Sequence, residues 1–364
     1  MTTKELPIQS EALQALQSQL HKAFPRLASG KYVHFFLVRH SRSFPVFQTD
    51  GVLNTARVQA GLQSTKMMSR LVIFKRKQVT PERLMGRELL RALGLTSGNE
   101  ADANYCQYNG ENTCKKCPDC IIYGFAIGNR GSERSKVYSD SAFSLTPYEI
   151  SHHSFTFNAP SEAGTMSEQG EMRSSINELD HVLPEVNFPA VETLRDPTWE
   201  AFIYVLGNLL RTKRYGAQES RTGSMTNHIV GIALCDGEVF SNLHFTQALY
   251  DALKARGEIN GPIADICQQA SQVAQELLTQ EPVTKQQLIF GEALEQLLAD
   301  VTHIYQSSDQ LRTVLETLYE QTTTYAQEYG ALHGAKEEGK RKGSKRRDQG
   351  DESDATESEQ ETLF

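Results

Sequence analysis

The sequence predicts an α+β protein. Its ferredoxin-like, RRM-like core carries a cysteine-rich loop insertion and a hairpin-like insertion, and a helical region follows. Three observations predict this. Apolar patterns run in the order strand–helix–strand–strand–helix–strand between Tyr32 and Cys235. Four cysteines fall within the 15 residues from Cys106 to Cys120, in a segment with little apolar content. After Pro262 the apolar spacing becomes helical.

Residues 9–24 place Leu13, Leu16, Leu20 and Phe24 on one face, which predicts an N-terminal helix within residues 1–30. Tyr32–Arg39 predicts a strand, with Gly30 before it and Ser41-Arg42-Ser43 after it. Arg70–Lys77 predicts a second strand. Pro81 predicts the first turn of a helix, with Leu84, Leu89, Leu90 and Leu93 inward, Arg83, Arg87 and Arg91 on another face, and Gly94 closing it. Residues 97–131, rich in Gly and Asn, read as a loop, and Val137–Leu145 as a strand. Residues 151–190 show little periodicity and read as a projecting insertion. Trp199–Arg211 predicts an apolar helix, Arg211–Thr226 a basic glycine-containing loop, and Asn227–Cys235 the last core strand, with Asp236-Gly237 turning into Glu238–His244. The core thus spans 31–262. Residues 263–332 predict three helices, near 263–280, 285–306 and 309–329. Thr284-x-x-Gln287 and Ser307-x-x-Gln310 have the capping-box pattern before the last two. Residues 333–364 join a basic block, Lys340–Arg347, to an acidic one, Asp348–Glu361, and predict a disordered charged tail.

The formal net charge is −8 over 364 residues, which by itself argues against a nucleic-acid partner. The distribution argues for one. Between Arg26 and Arg91 there are 13 Lys or Arg and three acids, Asp50, Glu82 and Glu88. Between Ile263 and Gly330 there are ten acids and two bases, Lys285 and Arg312. Segregation of this kind marks a polyanion-binding face on an acidic body. The plainer reading is an unevenly charged solvated surface. No apolar run approaches a membrane span and the N-terminus has no signal pattern, so a cytoplasmic protein is expected. Six cysteines then read as reduced thiols or metal ligands.

Cys106-x7-Cys114-x2-Cys117-x2-Cys120 has metal-site spacing. Four thiolates complete a closed tetrahedral shell with no place for a catalytic water, so the expected group is a structural zinc ion. Iron–sulfur ligation is a rival, but its pattern places a distal Cys-Pro after the triplet, whereas Pro118 lies between ligands here. A third arrangement uses Cys114, Cys117 and Cys120 with His152 or His153, and a fourth binds no metal. Cys235 and Cys267 have apolar neighbours and read as buried thiols.

Four segments occur in a specific order: Thr80-Pro81-Glu82-Arg83-Leu84-Met85-Gly86-Arg87 ending in Leu90-Arg91; Cys117-x2-Cys120-Ile121-Ile122-Tyr123-Gly124; Ser135-Lys136-Val137 with Asp140; and the loop Lys213–Gly223. The chain resembles, over roughly residues 30–245, the repeat-associated RNA-binding (RAMP) proteins of CRISPR effector complexes. The cysteine cluster, the long insertion and the helical C-terminal region make it most similar to the backbone subunits of type I-D complexes.

The resemblance implies a protein that coats the guide RNA (crRNA), polymerises along it and presents its bases for pairing with target DNA, as RNA-guided complexes do. Its further partners are neighbouring copies, the large subunit and the subunit at the guide 5′ end, with no membrane. The helix after Pro81 is expected to hold a guide phosphate through backbone N–H groups, with Arg83 and Arg87 adding charge. Glu82, Arg83 and Met85 depart from the family pattern there, so the contact leans on Arg87 and the backbone. The loop contributes Lys213, Arg214, Tyr215, Gly216, Arg221 and Gly223, and the basic N-terminal half contributes Arg39, Arg42, Arg57 and Lys66. The 151–190 insertion corresponds to a thumb, with Met166 as its apolar wedge. No catalytic residue is expected. A second reading is a metal-dependent nuclease that cuts the bound strand, with Asp50 as its candidate acid. A third is a zinc-stabilised adaptor without nucleic acid. Locally, the Arg83/Arg87/Arg91 stripe also reads as a solvated helix face, and Tyr105, Tyr108 and Tyr123 as packing around the cysteine loop.

Overall fold

β1 (Tyr32–Ser41) is the spine of a five-stranded antiparallel sheet. Its partners are β2 (Val137–Ser139), β3 (Asn187–Arg195), β4 (Met225–Cys235) and β5 (Lys285–Ile289), in the spatial order β5-β4-β1-β3-β2. This is a computed structural model, and the described residues are 10–49, 51–128, 131–157, 167–168, 171–172, 177–216, 222–330 and 332. Between β1 and β2 runs α2 (Lys75–Ala92), and between β3 and β4 runs α3 (Trp199–Arg211). The β1-α2-β2-β3-α3-β4 path with order β4-β1-β3-β2 is the ferredoxin-like arrangement that the element order predicts.

β1 reads almost continuously apolar because both sheet faces are covered. Val33, Phe35 and Leu37 share a core with Phe202, Val205 and Leu209 of α3 and Leu90 of α2. Phe36 and Val38 face the other way, into a core with α4 (Asn242–Arg256) and α5 (Ile263–Gln280) through Phe245, Leu249, Ile266 and Ala270. α1 (Glu11–Gln19), α6 (Gly291–Gln306) and α7 (Ser308–Glu328) extend the first core with Leu13, Leu16, Leu297, Val301, Leu315 and Leu318. Gly86 sets the α2–α3 crossing: a Cβ there would lie 2.2 Å from the Tyr204 hydroxyl.

Several expectations are corrected. The second strand is Met67–Ile73, and it lies in a separate three-stranded sheet between Thr55–Gln59 and Ala142–Pro147. α2 begins at Lys75, so Pro81 lies inside the helix rather than at its first turn. Val137–Leu145 is two strands, because the chain leaves the core sheet at Asp140-Ser141 and joins the smaller one. Asp236-Gly237 opens no hairpin with the segment that follows it. Ser241 instead caps α4 by accepting from the His244 N–H at 3.2 Å. Lys285–Ile289 is a strand, not a helix start: it pairs with β4 and covers what would be an open sheet edge. Ser307 caps α7 without a side-chain hydrogen bond. The insertion forms a hairpin of His152–Phe157 with Asn177–Val182, rooted by Phe155 packing edge-on to Phe44 at 5.1 Å. Met166 and the charged tail from 333 lie outside the described residues.

Candidate nucleic-acid interface and metal centre

The cysteine loop leaves the end of α2 and returns as a single wide helical turn, Asp119–Tyr123. Its four Sγ atoms lie within 4.8 Å of one another. Cys106 is 3.8 Å from Cys117 and 3.6 Å from Cys120, and Cys120 is 3.8 Å from Cys114 and 3.4 Å from Cys117. A tetrahedron of thiolates about 2.3 Å from one ion has edges of about 3.8 Å, so the four sulfurs are placed to hold a metal. Neither His152 nor His153 joins them: both lie in the insertion hairpin, and His152 stacks on Tyr148 at 3.8 Å.

Two arginines expected at the RNA are spent on this loop. Arg83 forks onto Asp119, with Nε 2.9 Å from Oδ1 and Nη2 3.0 Å from Oδ2, and also donates to the Gly124 carbonyl. Arg87 is 4 % exposed and donates to Asp119 at 2.7 Å, to the Cys106 carbonyl, and to the Cys106 Sγ at 3.5 Å. Burial opposes the Arg87 charge, but Asp119 and Cys106 outweigh it and hold its pKa above the ordinary value. The stripe that reads as a phosphate clamp therefore fastens the cysteine loop to α2.

Arg39 and Tyr215 are also corrected. Arg39 has no exposed surface, because β1 points it under α2, where it meets Glu82 at 2.8 Å and Glu192 at 3.1 Å. The Tyr215 hydroxyl donates to Glu82 at 2.8 Å and accepts from Asn227, and its ring lies 5.4 Å from the Arg39 guanidinium. Burial and the nearby Glu82 push the Glu192 carboxyl well above the usual range, against the pull of Arg39. This network anchors the 213–216 loop instead of touching a ligand.

What stays on the surface is a smaller basic set. Lys213 and Arg214 are exposed beside Arg42, whose N–H donates to the Ser224 carbonyl at 2.9 Å. Burial, then the neighbouring His40, Arg42 and Lys213, lowers the His228 pKa. Pro81 joins the 213–216 loop to α2. Having no N–H, it leaves the Lys77 carbonyl without its helical donor, and the Gly216 N–H fills the place at 3.3 Å. Gly216 has φ +104, and a Cβ there would lie 2.6 Å from the Val46 carbonyl. Gly223 donates to the Phe44 carbonyl at 3.0 Å, completing the loop's attachment. Arg57 and Lys66 are exposed at the smaller sheet. Arg221 and Asp50 lie outside the described residues.

Lys75, Arg76 and Lys77 were missed, because the Arg70–Lys77 segment reads as a strand. They form the first turn of α2 with no acid among them, where the helix dipole disfavours cations. Burial and the neighbouring Arg76 lower the Lys77 pKa. The signal available in the sequence was three consecutive bases a few residues before Pro81.

An α+β, RRM-like core that carries a four-cysteine loop is consistent with the fold of the RAMP proteins of CRISPR complexes. The Csc2 CRISPR family model matches residues 19–315, and the chain belongs to that family. Among solved structures, Thermofilum pendens Csc2 shares the fold with a TM-score of 0.57 at 15 % identity, covering 87 % of this chain and 98 % of that one. A chain of a CRISPR RNA-guided surveillance complex is similar with a TM-score of 0.43 at 14 % identity, covering 70 % and 86 %. A search of curated proteins finds no match. Among the described residues no helix is long and apolar enough to cross a membrane.

Proposed function

We propose that the chain is the non-catalytic crRNA-binding backbone subunit of a type I-D complex. Copies polymerise along the guide and leave its bases free to pair with target DNA, beside a large subunit and a 5′-end subunit. The observation that carries this is a set of exposed cations without carboxylate partners among the described residues: Arg42, Lys213 and Arg214 at the end of the core sheet, and Lys75 and Arg76 on the first turn of α2, to which the Gly216–Lys77 hydrogen bond ties the loop. Such a surface grips phosphates and reads no sequence. Arg57 and Lys66, with Arg221 and Met166 of the two loops, extend the same contact. Zinc suits the cysteine cluster because four sulfurs crowd a single point, whereas a cubane cluster puts each thiolate on its own iron. When bound there it contributes folding free energy rather than chemistry.

The test is single-stranded RNA binding across a salt series. Lys213→Glu/Arg214→Glu should weaken homopolymers of different base alike and lower the salt slope by about 1.4, from about 0.7 per lost phosphate contact. Unchanged affinity, or one sequence strongly preferred by the wild type, would defeat the reading. Target cleavage by an assembled complex should survive Asp50→Ala; its loss would favour the nuclease reading.

A further inference from the structure

We propose that the cleft between the first turns of α2, the cysteine loop and β2 is a nucleotide site that takes one base and its phosphate from single-stranded RNA. The inference rests on the RNA reading above. The cleft measures about 450 Å³, within the size range of small-ligand sites.

Its lining matches the two halves of a nucleotide. Lys75 and Arg76 stand at one wall, both exposed and without a carboxylate partner among the described residues. The positive end of α2 reinforces them. Arg83 also borders the cleft, but Asp119 already neutralises it, so the free charge belongs to the other two. No acid lines the cleft, which disfavours a divalent cation. Tyr108 and Tyr138 also line the cleft, both partly exposed. Each ring is steadied by a guanidinium: Arg83 lies 5.1 Å from the Tyr108 centroid and Arg195 5.4 Å from that of Tyr138. Rings held in this way offer a π-face to any base without distinguishing one base from another. The arrangement gives an anionic partner to two of the three cations on the first helical turn, Lys75 and Arg76, which a helix without one disfavours.

The experiment uses the full-length, metal-loaded chain with single-stranded RNA carrying 2-aminopurine at successive positions, and with AMP alone. Wild type should quench 2-aminopurine on binding. Tyr138→Ala should lose that quenching and weaken RNA binding about tenfold at an unchanged salt slope, while Tyr138→Phe keeps both. Lys75→Ala/Arg76→Ala should lower affinity together with the slope. Thermal unfolding is followed in parallel, and Tyr108→Leu replaces Tyr138→Ala if the latter fails to fold. Wild type that binds RNA, with quenching and affinity untouched in the folded tyrosine variant, overturns the cleft alone. Wild type that binds no RNA overturns both readings. AMP binding that the tyrosine variant abolishes, at unchanged RNA affinity, would make this a free-nucleotide site and overturn the strand assignment.

Discussion

His34 lies fully buried on β1, its ring nitrogens held by Thr193 Oγ1 at 2.8 Å and the Gly237 carbonyl at 3.0 Å. Burial lowers its pKa from 6.5 to about 4. The unfolded chain therefore takes up a proton at that site before the folded chain does. Stability from this residue is complete above pH 6.5 and is lost as pH falls from there to about 4, by about 3 kcal/mol in all. His34→Gln should cost about 1–2 kcal/mol at pH 7 through poorer hydrogen bonding. The gap from wild type should close or reverse by pH 4, as urea unfolding at several pH values will read; a constant gap would contradict the argument. Arg39 belongs to the same scale. Arg39→Met leaves Glu82 and Glu192 buried without their cation and should cost about 3–5 kcal/mol. The damage should register in chemical denaturation, with no fall in the salt slope of RNA binding, since Arg39 reaches no phosphate.

α2 carries three tasks on three faces. Gly86 meets Tyr204 of α3, Arg83 and Arg87 clamp the cysteine loop, and Pro81 frees a carbonyl for Gly216. Pro81→Ala restores the N–H that competes for the Lys77 carbonyl. The helix should tolerate it, while the Gly216 amide exchanges hydrogen faster and RNA affinity falls a few-fold. An unaltered Gly216 exchange rate would show that the proline does not hold the loop. Cys114→Ala/Cys117→Ala should abolish binding of close to one zinc per chain and lower the unfolding midpoint, because a loop with little apolar content loses its cross-link. Asp119→Asn should weaken the same loop with the thiols intact. Metal analysis and thermal unfolding of the three proteins check both statements.

For the whole molecule, the insertion hairpin pairs His152–Phe157 with Asn177–Val182 and is rooted on Phe44 through Phe155. Replacing residues 160–175 with a short Gly-Ser linker should leave the monomer folded and its metal bound. Regularly spaced nuclease protection along a long guide RNA should vanish, and cooperative assembly with it. Wild-type spacing in that variant would show that the insertion does not bridge neighbouring copies.

Periodicity and thiol spacing suffice for Trp199–Arg211 and the four-cysteine cluster, because each is a local pattern that one element repeats or one loop contains, but not for the core strand Asn187–Arg195, which begins inside the segment that reads as an insertion. The sequence did not reveal which cations reach solvent. Arg39, Arg70 and Arg87 count among the 13 bases of the basic stretch, yet all three are buried, paired with Glu82 and Glu192, with the Ala60 and Leu145 carbonyls, and with Asp119. Lys285–Ile289 looked helical because its capping pattern is local, while the open edge of β4 that recruits it as a strand is not. Local spacing specifies an element, since neighbours along the chain set its period. Whether a charge is buried or free depends on partners far away in sequence, such as Glu192 for Arg39, and only the tertiary structure brings those together.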